Sequence, residues 1–464
     1  MLTRQTELNI FKKKSEALLR VVPVALAGGG PVTQTIQIDE WFNILNKKYT
    51  IPVRRLGVKS PRSEFVNENF TGKIYSLDQE IETSASIKGI YKNVTDAVVR
   101  EVEYLYSNGI RHITGVCCGY TSYGPFAFQR ALKKVNLSNK NDILTANLMI
   151  QDSSFPDTDN LSESLDIDGY PMTRFYGPAY QSNSWLKIVF TLNAVVPFDV
   201  TLSKRIPQGC TPLLASFPFT KTYISKWQKK MSKSDAMEQL NGVIPSWEKI
   251  THNDLIIPFL SSDIWDPSFI GKWMTQQQFN TVVEGTLNFV KALSYVSKVT
   301  KKNVFLPIIK NAEKFILSQN MSDVYPMNAY EVSMKKRAVY IMPYNVIPQH
   351  LFINLIAASD IVVNRSTQSN SFIETIMTDT AQLVSIIPAA DYMDGELMAM
   401  NLKHGLIAYN WPSEKIGMEI EKIITDNTYK NDLIGKFKQM LIKMNEDQKT
   451  NFGSILTEVS GLID

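Results

Sequence analysis

Cysteine and histidine are scarce in this chain, and no apolar run is long enough to cross a bilayer. The 464 residues include three cysteines, two of them adjacent at Cys117 and Cys118, and four histidines. This pattern does not suit a disulfide framework, and no Cys/His spacing suits a zinc site. No segment of about 18 apolar residues occurs, and the N-terminal residues lack the apolar core of a signal peptide. We therefore expect a cytoplasmic protein without a transmembrane segment, although export by a signal-independent route would leave the same features.

A strong excess of charge is missing as well. Lysine and arginine number 49 against 45 aspartates and glutamates, which gives a net charge of +4. The basic clusters at 12–14 and 226–233 are short, so a nucleic-acid partner is not expected. A hydrophobic content of 44% with 20% charged residues is typical of a globular protein. A chain of this length favours two domains over a single core.

Strand-like and helix-like segments alternate along both halves of the chain. A polar helix is expected in residues 1–20. The expected strands of the two halves are 21–27, 51–56, 112–117 and 143–150, then 255–260, 304–309, 338–342, 361–363 and 383–387. Strands that are apolar on both faces and alternate with helices predict parallel sheets covered by helices. We predict an α/β protein with a first domain at 1–250, which carries an aromatic- and proline-rich insertion, a second at 251–445, and a closing helix at 446–464.

The most informative stretch is 357–401. A short apolar strand is followed by small polar residues at 366–371 and by a helix that carries Glu374. The amino terminus of a helix beyond the carboxyl end of a parallel strand offers unpaired N–H groups and a partial positive charge to an anion. Arg365 adds a fixed cation, and Glu374 could accept hydrogen bonds from a sugar diol. A nucleotide diphosphate suits this set, although Ser and Asn are also common at any helix start.

The order of these residues resembles the donor-binding half of GT-B glycosyltransferases. Plant secondary-metabolite glycosyltransferases carry H-C-G-W-N-S-x-x-E followed by Pro and D-Q, and the chain reads STQSNSFIE from Ser366 to Glu374, followed by Pro388 and Asp391. The stretch is also similar to the transferase that adds N-acetylglucosamine in bacterial lipid II synthesis. Its pattern A-D-x-V-x-x-R-S-G, then Glu, a proline loop and Asn, is matched here by Asp360, Arg365, Ser366, Glu374, Pro388 and Asn401. Ser366, Gln368 and Tyr392 replace the His, a Gly and the Gln of the plant pattern.

The resemblance implies a GT-B fold, in which two Rossmann-like domains with parallel sheets face each other across a cleft. It implies a metal-independent glycosyltransferase that moves a sugar from a nucleotide-diphosphate sugar, expected to be uridine-based, to an unidentified acceptor. No cofactor is implied besides this donor. The residues expected to bind the nucleotide are Gly29, Gly30, Ser261, Ser262, Ile347, Arg365, Ser366, Ser369, Asn370, Ser371 and Glu374. Asp391 or Asp394 would contact the donor sugar.

The catalytic base is less clearly marked, because the first glycine-rich loop holds no histidine. Asp152 follows an apolar strand, so we take it as the candidate base for an inverting reaction; a retaining reaction would need none. An epimerase of the same fold and a non-catalytic nucleotide-sugar-binding protein remain alternatives. A remote third is a class I aminoacyl-tRNA synthetase, because residues 230–234 spell KMSKS. No HIGH-type motif accompanies that pentapeptide, and a solvated basic loop is the expected structure there.

Overall fold

The chain divides into two compact units, each built around parallel strands. The structure, a computed structural model, describes residues 16–22, 53–59, 73–76, 87–118, 123–152, 164–167, 170–173, 183–192, 211–213, 231–260, 276–330, 337–344, 347, 349–364, 370–386, 405–408 and 411–439. The first unit comprises Met1–Thr220 with Met444–Asp464, and the second Lys221–Lys443. The helix expected at 446–464 lies outside the described residues. None of the described helices is both long and apolar enough to cross a membrane.

A seven-stranded parallel sheet forms the centre of the first unit. Its strands lie in the spatial order β3-β2-β1-β4-β5-β8-β9. They are β1 (Glu16–Val22), β2 (Val53–Lys59), β3 (Lys73–Ser76), β4 (His112–Cys118), β5 (Thr145–Asp152), β8 (Leu186–Leu192) and β9 (Thr211–Leu213), with a separate antiparallel pair, β6 (Ser164–Ile167) and β7 (Tyr170–Thr173). The order reverses between β1 and β4, as in Rossmann-like folds, because β2 and β3 add on one side and β5, β8 and β9 on the other.

Two helices pack together in the first unit, α1 (Ile87–Ser107) and α2 (Tyr123–Ser138). At Gly115 in β4, an added Cβ would lie 2.9 Å from the ring of Phe128, so only glycine lets α2 approach the sheet this closely. On the surface, Arg111 binds the Asp142 carboxylate through Nε and Nη2, both at 2.7 Å, and lies over the Tyr106 ring. The hydrogen bond from Arg111 lowers the pKa of Asp142 below its usual value.

The first strand departs from the sequence prediction. It was expected at 21–27 after a polar helix, but β1 spans Glu16–Val22, so residues 16–20 are extended and not helical. The segment EALLRVV carries two charges, whereas VVPVALA is more apolar, which explains the error. Pro23 interrupts that apolar run, and proline cannot donate to a central ladder. The prediction of strands at 112–117 and 143–150 is confirmed, with β4 and β5 extending to Cys118 and Asp152.

The described residues of the second unit also contain parallel strands, eight in number. They are β10 (Leu255–Ile256), β11 (Phe259–Leu260), β12 (Val304–Ile309), β13 (Val324–Pro326), β14 (Val339–Tyr344), β15 (Val362–Asn364), β16 (Gln382–Ile386) and β17 (Leu406–Ala408), with β10 and β11 as two pieces of one segment. One sheet runs β10-β12-β14-β13 and the other β11-β15-β16-β17. The Ile257 N–H donates to Phe305 in β12, and the Pro258 carbonyl accepts from Val363 in β15, each at 2.9 Å. Residues 255–260 therefore join the two sheets.

Seven helices lie within the described residues of this unit. They are α3 (Lys233–Leu240), α4 (Gln276–Thr300), α5 (Lys310–Ser318), α6 (Gln349–Ala358), α7 (Asn370–Met377), α8 (Ser413–Thr425) and α9, residues 427–439. Helices α4 and α8 pack on each other at Gly417, where an added Cβ would lie 2.5 Å from the Tyr295 ring. The Tyr295 hydroxyl donates to Glu421, one turn further along α8, at 3.2 Å.

The residues just before the predicted domain boundary at 250 pack into the second unit. Trp247 is fully buried, and its indole N–H donates to the Met237 carbonyl at 3.0 Å. It belongs to one core cluster with α3, α6 and Tyr340 in β14. The contacts thus group residues 231–250 with the second unit, Lys221–Lys443.

Candidate functional site

The strand order of the second unit reverses at residues 255–260, the segment that joins its two sheets. Strands β12, β14 and β13 add on one side of it, and β15, β16 and β17 on the other. The register pairs Leu260 with Asn364, the last residues of β11 and β15. In open α/β sheets, ligands bind beyond the carboxyl ends of the strands where the order reverses. Leu260 and Asn364 therefore mark the carboxyl edge at which a ligand site is expected.

Most of the sequence-predicted site residues come after the ends of described strands but lie outside the described residues. Ser261 and Ser262 come after β11, and Arg365, Ser366 and Ser369 after β15, while Asp391 and Asp394 follow β16 and Gly29 and Gly30 follow β1. In the first unit, Asp152 ends β5 and pairs with Leu192 of β8, so its backbone is at the carboxyl edge of that sheet. The roles assigned to all these residues stay predictions.

Helix α7 begins six residues after the end of β15, at Asn370. The Ser371 hydroxyl donates to Asn364 Oδ1 at 2.7 Å, which connects the first turn of the helix to the end of the strand. This contact gives Ser371 a role that its sequence position did not indicate. Its hydroxyl proton is committed to Asn364, so a ligand would meet the hydroxyl oxygen and the backbone and not a free O–H donor.

Asn364 is the centre of a buried network of polar side chains. Its amide nitrogen donates to Gln382 Oε1 in β16 at 2.8 Å and to Thr375 Oγ1 in α7 at 3.2 Å. The Thr375 hydroxyl donates to the Ser371 carbonyl at 2.6 Å, and the Gln382 amide to the Phe372 carbonyl at 3.3 Å. Asn364, Thr375 and Gln382 are all fully buried. Two strands and one helix therefore share one amide, which fixes their relative positions.

Glu374 lies in the second turn of α7 and not in the first, where it was expected; the first turn contains no acidic residue. Helical side chains tilt toward the amino terminus, so Glu374 leans back toward the start of the helix. Its side chain is 2% exposed. A buried carboxylate needs hydrogen-bond donors, and the diol that the sequence analysis assigned to it would have to enter a closely packed position.

Ile347 was expected to lie near the nucleotide base through its backbone. Its side chain is buried in the same core cluster as Trp247, together with Tyr344 and Leu355. Along the chain, Ile347 follows β14 and precedes α6. Its side chain is therefore part of the core, which leaves only the backbone for ligand contact.

The KMSKS pentapeptide was expected to form a solvated loop. Instead, helix α3 begins within it, at Lys233, with Ser232 as the N-cap. Ser232 caps α3 by accepting from the Asp235 N–H at 3.1 Å. Lys233 binds Asp360 at 2.7 Å, and the same carboxylate accepts the Ile256 N–H at 2.9 Å. Ser232 therefore caps α3, and Lys233 holds that helix against the segment before β15.

The first unit contains a cavity of about 220 Å³ between α2 and the start of β8, lined by Gln129, Arg130, Leu132, Lys133, Asn183, Trp185 and Leu186. Asp152 pairs with Leu192, at the opposite end of β8 from Leu186. Six residues of strand separate them by about 20 Å, so this cavity is not part of the predicted catalytic edge. Within the described ranges, no group of three His, Cys, Asp or Glu side chains could hold a metal ion.

Asn364, Thr375 and Gln382 were not selected by sequence reasoning, although one signal was available. Gln382 is an amide within the apolar run AQLVSII, and a polar side chain in a buried strand requires a buried partner. The identity of that partner depends on register, because Gln382 pairs with Val362, two residues before Asn364. No sequence pattern specifies that register.

Comparison with solved structures supports the fold, whereas comparison at the level of sequence finds no match. No protein-family model and no curated protein matches the chain. Among solved structures, the trehalose-6-phosphate synthase of Burkholderia multivorans is similar with a TM-score of 0.52 and 8% identity, over 97% of both chains. A Listeria monocytogenes protein assigned as a UDP-N-acetylglucosamine 2-epimerase is similar with a TM-score of 0.51 and 10% identity, over 91% of both chains. The fold is that of GT-B proteins, and the predicted α/β architecture with two Rossmann-like units is confirmed.

Proposed function

We propose that this protein is a glycosyltransferase of the GT-B type, which uses a nucleotide-diphosphate sugar as donor. The observation that carries the proposal is the pairing of Leu260 with Asn364 where the strand order reverses. The chain continues from these residues into Ser261-Ser262 and into Arg365-Ser366, and helix α7 begins shortly afterwards. A fork-shaped cation, hydroxyl groups and the amides of a helix start are suited to a diphosphate.

In this proposal the second unit stabilises the leaving nucleotide. As the bond between the anomeric carbon and the diphosphate breaks, negative charge grows on the phosphate oxygens. Arg365, Ser366 and the backbone amides at the start of α7 would stabilise that charge, with Ser261, Ser262, Ser369 and Asn370 adding contacts. Glu374 would accept the ribose hydroxyls, and Asp391 or Asp394 the sugar hydroxyls. In this proposal Arg365, the hydroxyl groups and the helix amides interact with the diphosphate without a metal ion.

The first unit would supply the acceptor side. Asp152 ends β5 at the carboxyl edge of the sheet, where a base could take the acceptor proton during an inverting transfer. A retaining reaction, in which a donor phosphate oxygen takes that proton, would leave Asp152 without this role. Asp152→Asn separates the two, because it would abolish an inverting transfer and leave a retaining one active.

Epimerisation of the donor is the second candidate, favoured by the similarity to the Listeria protein assigned as a UDP-N-acetylglucosamine 2-epimerase. Incubation with UDP-glucose and UDP-N-acetylglucosamine separates the two reactions. Release of UDP that depends on an added acceptor identifies a transferase, whereas an isomerised donor identifies an epimerase. Binding without either product indicates a non-catalytic protein.

Glu374→Gln tests the donor site itself. It replaces the carboxylate by an amide of the same size, and we expect UDP to bind about 10- to 100-fold more weakly, the equivalent of one lost hydrogen bond to a charged group. Glu101→Gln is the matched control, because Glu101 is another buried carboxylate, on α1 of the first unit. Isothermal titration with UDP measures both. If wild-type protein binds no nucleoside diphosphate, or if Glu374→Gln binds UDP as wild type does, the assignment of this site is wrong.

A further inference from the structure

The buried amide pair formed by Asn364 and Gln382 is hydrogen-bonded to the first turn of α7, whose amides belong to the proposed diphosphate site. Both side chains are fully buried, and they are hydrogen-bonded to each other. A buried amide that is not hydrogen-bonded costs more than the bond itself contributes, and an apolar side chain of similar size would fill the same volume without that requirement. The amides are therefore expected to serve something other than filling the core.

The geometry of the network shows which elements it controls. Asn364 uses both amide hydrogens, one on Gln382 of β16 and one on Thr375 of α7, and its oxygen accepts the Ser371 hydroxyl. The Gln382 amide in turn donates to the carbonyl of Phe372, in the first turn of α7. Three of these hydrogen bonds reach α7 and the fourth joins β15 to β16, so together they hold α7 at one position relative to the ends of both strands.

We infer that Asn364 and Gln382 are positioning residues that orient the amino-terminal amides of α7 toward the donor diphosphate. The inference rests on the proposed function, since it assigns these residues to the same site. Stabilisation of a developing charge depends on donors that are already in place before the reaction, and donors held by a buried network do not need to reorganise. The amides bind the diphosphate; the network determines where those amides point.

A second amide pair in the same unit, between buried Asn354 and exposed Gln239, provides a control of the same chemistry. Asn354 of α6 donates to Gln239 Oε1 of α3 at 2.8 Å, the same chemistry and the same length as the bond from Asn364 to Gln382. Asn354 is buried like Asn364. This pair connects two helices and is not bonded to α7. Gln382→Met and Gln239→Met each remove the acceptor of a buried asparagine and keep an unbranched side chain of similar length.

The experiment measures the affinities of UDP and of uridine for both variants by isothermal titration, with melting temperature as the check on folding. We expect Gln382→Met to weaken UDP binding about tenfold, as for one lost hydrogen bond to a charged group. Uridine binding should change by no more than about twofold, the usual limit for independent sites. Gln239→Met should lower the melting temperature and leave both affinities unchanged. The selective loss of UDP affinity is the result that a merely structural role would not give.

Ser371 provides an independent test if Gln382→Met does not fold. Ser371→Ala removes the hydroxyl that contacts Asn364, whereas Ser371→Thr retains it, so the alanine variant should lose UDP affinity and the threonine variant should recover it. Equal UDP affinity in wild type and in a folded Gln382→Met or Ser371→Ala variant would overturn the positioning role while leaving the proposed function standing. A wild-type protein that binds no nucleoside diphosphate overturns the proposed function and this inference with it.

Discussion

The contact between α4 and α8 predicts that one substitution, glycine to alanine, has opposite effects at two helical positions of the second unit. Gly435 lies in α9 with no atom within 4 Å of an added Cβ. Gly435→Ala should therefore stabilise the protein by up to about 1 kcal/mol, because alanine is the better helix former. At Gly417, the same Cβ would lie 2.5 Å from Tyr295 Cδ1 and 3.3 Å from the Ala292 carbonyl oxygen.

The destabilisation expected from Gly417→Ala can be worked out from the groups that must shift to admit the added Cβ. An ordinary contact for a Cβ begins at 3.4 Å, so the Tyr295 ring or the helix has to shift. Overpacking costs about 1–3 kcal/mol. A displaced ring also loses the bond from its hydroxyl to Glu421, worth about 0.5–1.5 kcal/mol. After subtracting the gain in helix propensity of about 1 kcal/mol, Gly417→Ala should lower the free energy of unfolding by roughly 0.5–3.5 kcal/mol.

Urea unfolding of the wild type and both variants measures the difference. A double variant, Gly417→Ala with Tyr295→Ala, is the internal control, because removal of the ring removes the clash. The alanine at 417 should then cost less in the Tyr295→Ala background than in the wild type. If Gly417→Ala stabilises the protein as Gly435→Ala does, the close packing of α4 on α8 described above is wrong.

Two further predictions concern charged groups away from the proposed site. Because Arg111 lowers the pKa of Asp142 from 3.8, the ionised carboxylate stabilises the fold above pH 3.8, and this contribution is lost as the pH falls through the lowered pKa. The difference in unfolding free energy between wild type and Asp142→Asn should therefore shrink between pH 7 and pH 3. A difference that does not depend on pH would contradict the assignment. Lys233→Met should lower the free energy of unfolding by about 1–2 kcal/mol, which lies between the values for exposed and buried ion pairs. The Lys233 and Asp360 side chains are 33% and 23% exposed. ATP should not protect the wild type against thermal unfolding; protection that Lys233→Met abolishes would favour a synthetase-like role.

Sequence patterns were sufficient for the strands that are continuous apolar runs between polar residues. The strand expected at 304–309 is β12, Val304–Ile309, without a shift, because nothing within or beside it offers an alternative. The first strand was misplaced because a charged segment, EALLRVV, forms β1 next to a more apolar one. In that case the choice depended on partners in β2 and β4, which are distant in sequence.

For the candidate site, the sequence indicated an edge of the sheet but not the contacts between the side chains there. The polar residues after a strand indicated the carboxyl edge of the sheet, and the strand order places β11 and β15 side by side there. The hydrogen bonds of Asn364 depend on the register of β15 with β16, which is a property of the assembled sheet. The burial of Glu374 likewise results from the packing of α7 and has no signature in its neighbours along the chain.

The joined segment 255–260 also constrains the order in which the second unit can form. Ile256 meets Asp360 across 104 residues of chain, so β15, β16 and β17 have no place to dock until a segment synthesised much earlier is in position. Such distant pairings are slow to form, and until then β11 presents an unpaired edge. Folding of this half is therefore expected to be all-or-none, with the amides of Ile256 and Ile257 among the last in the unit to exchange with solvent deuterium.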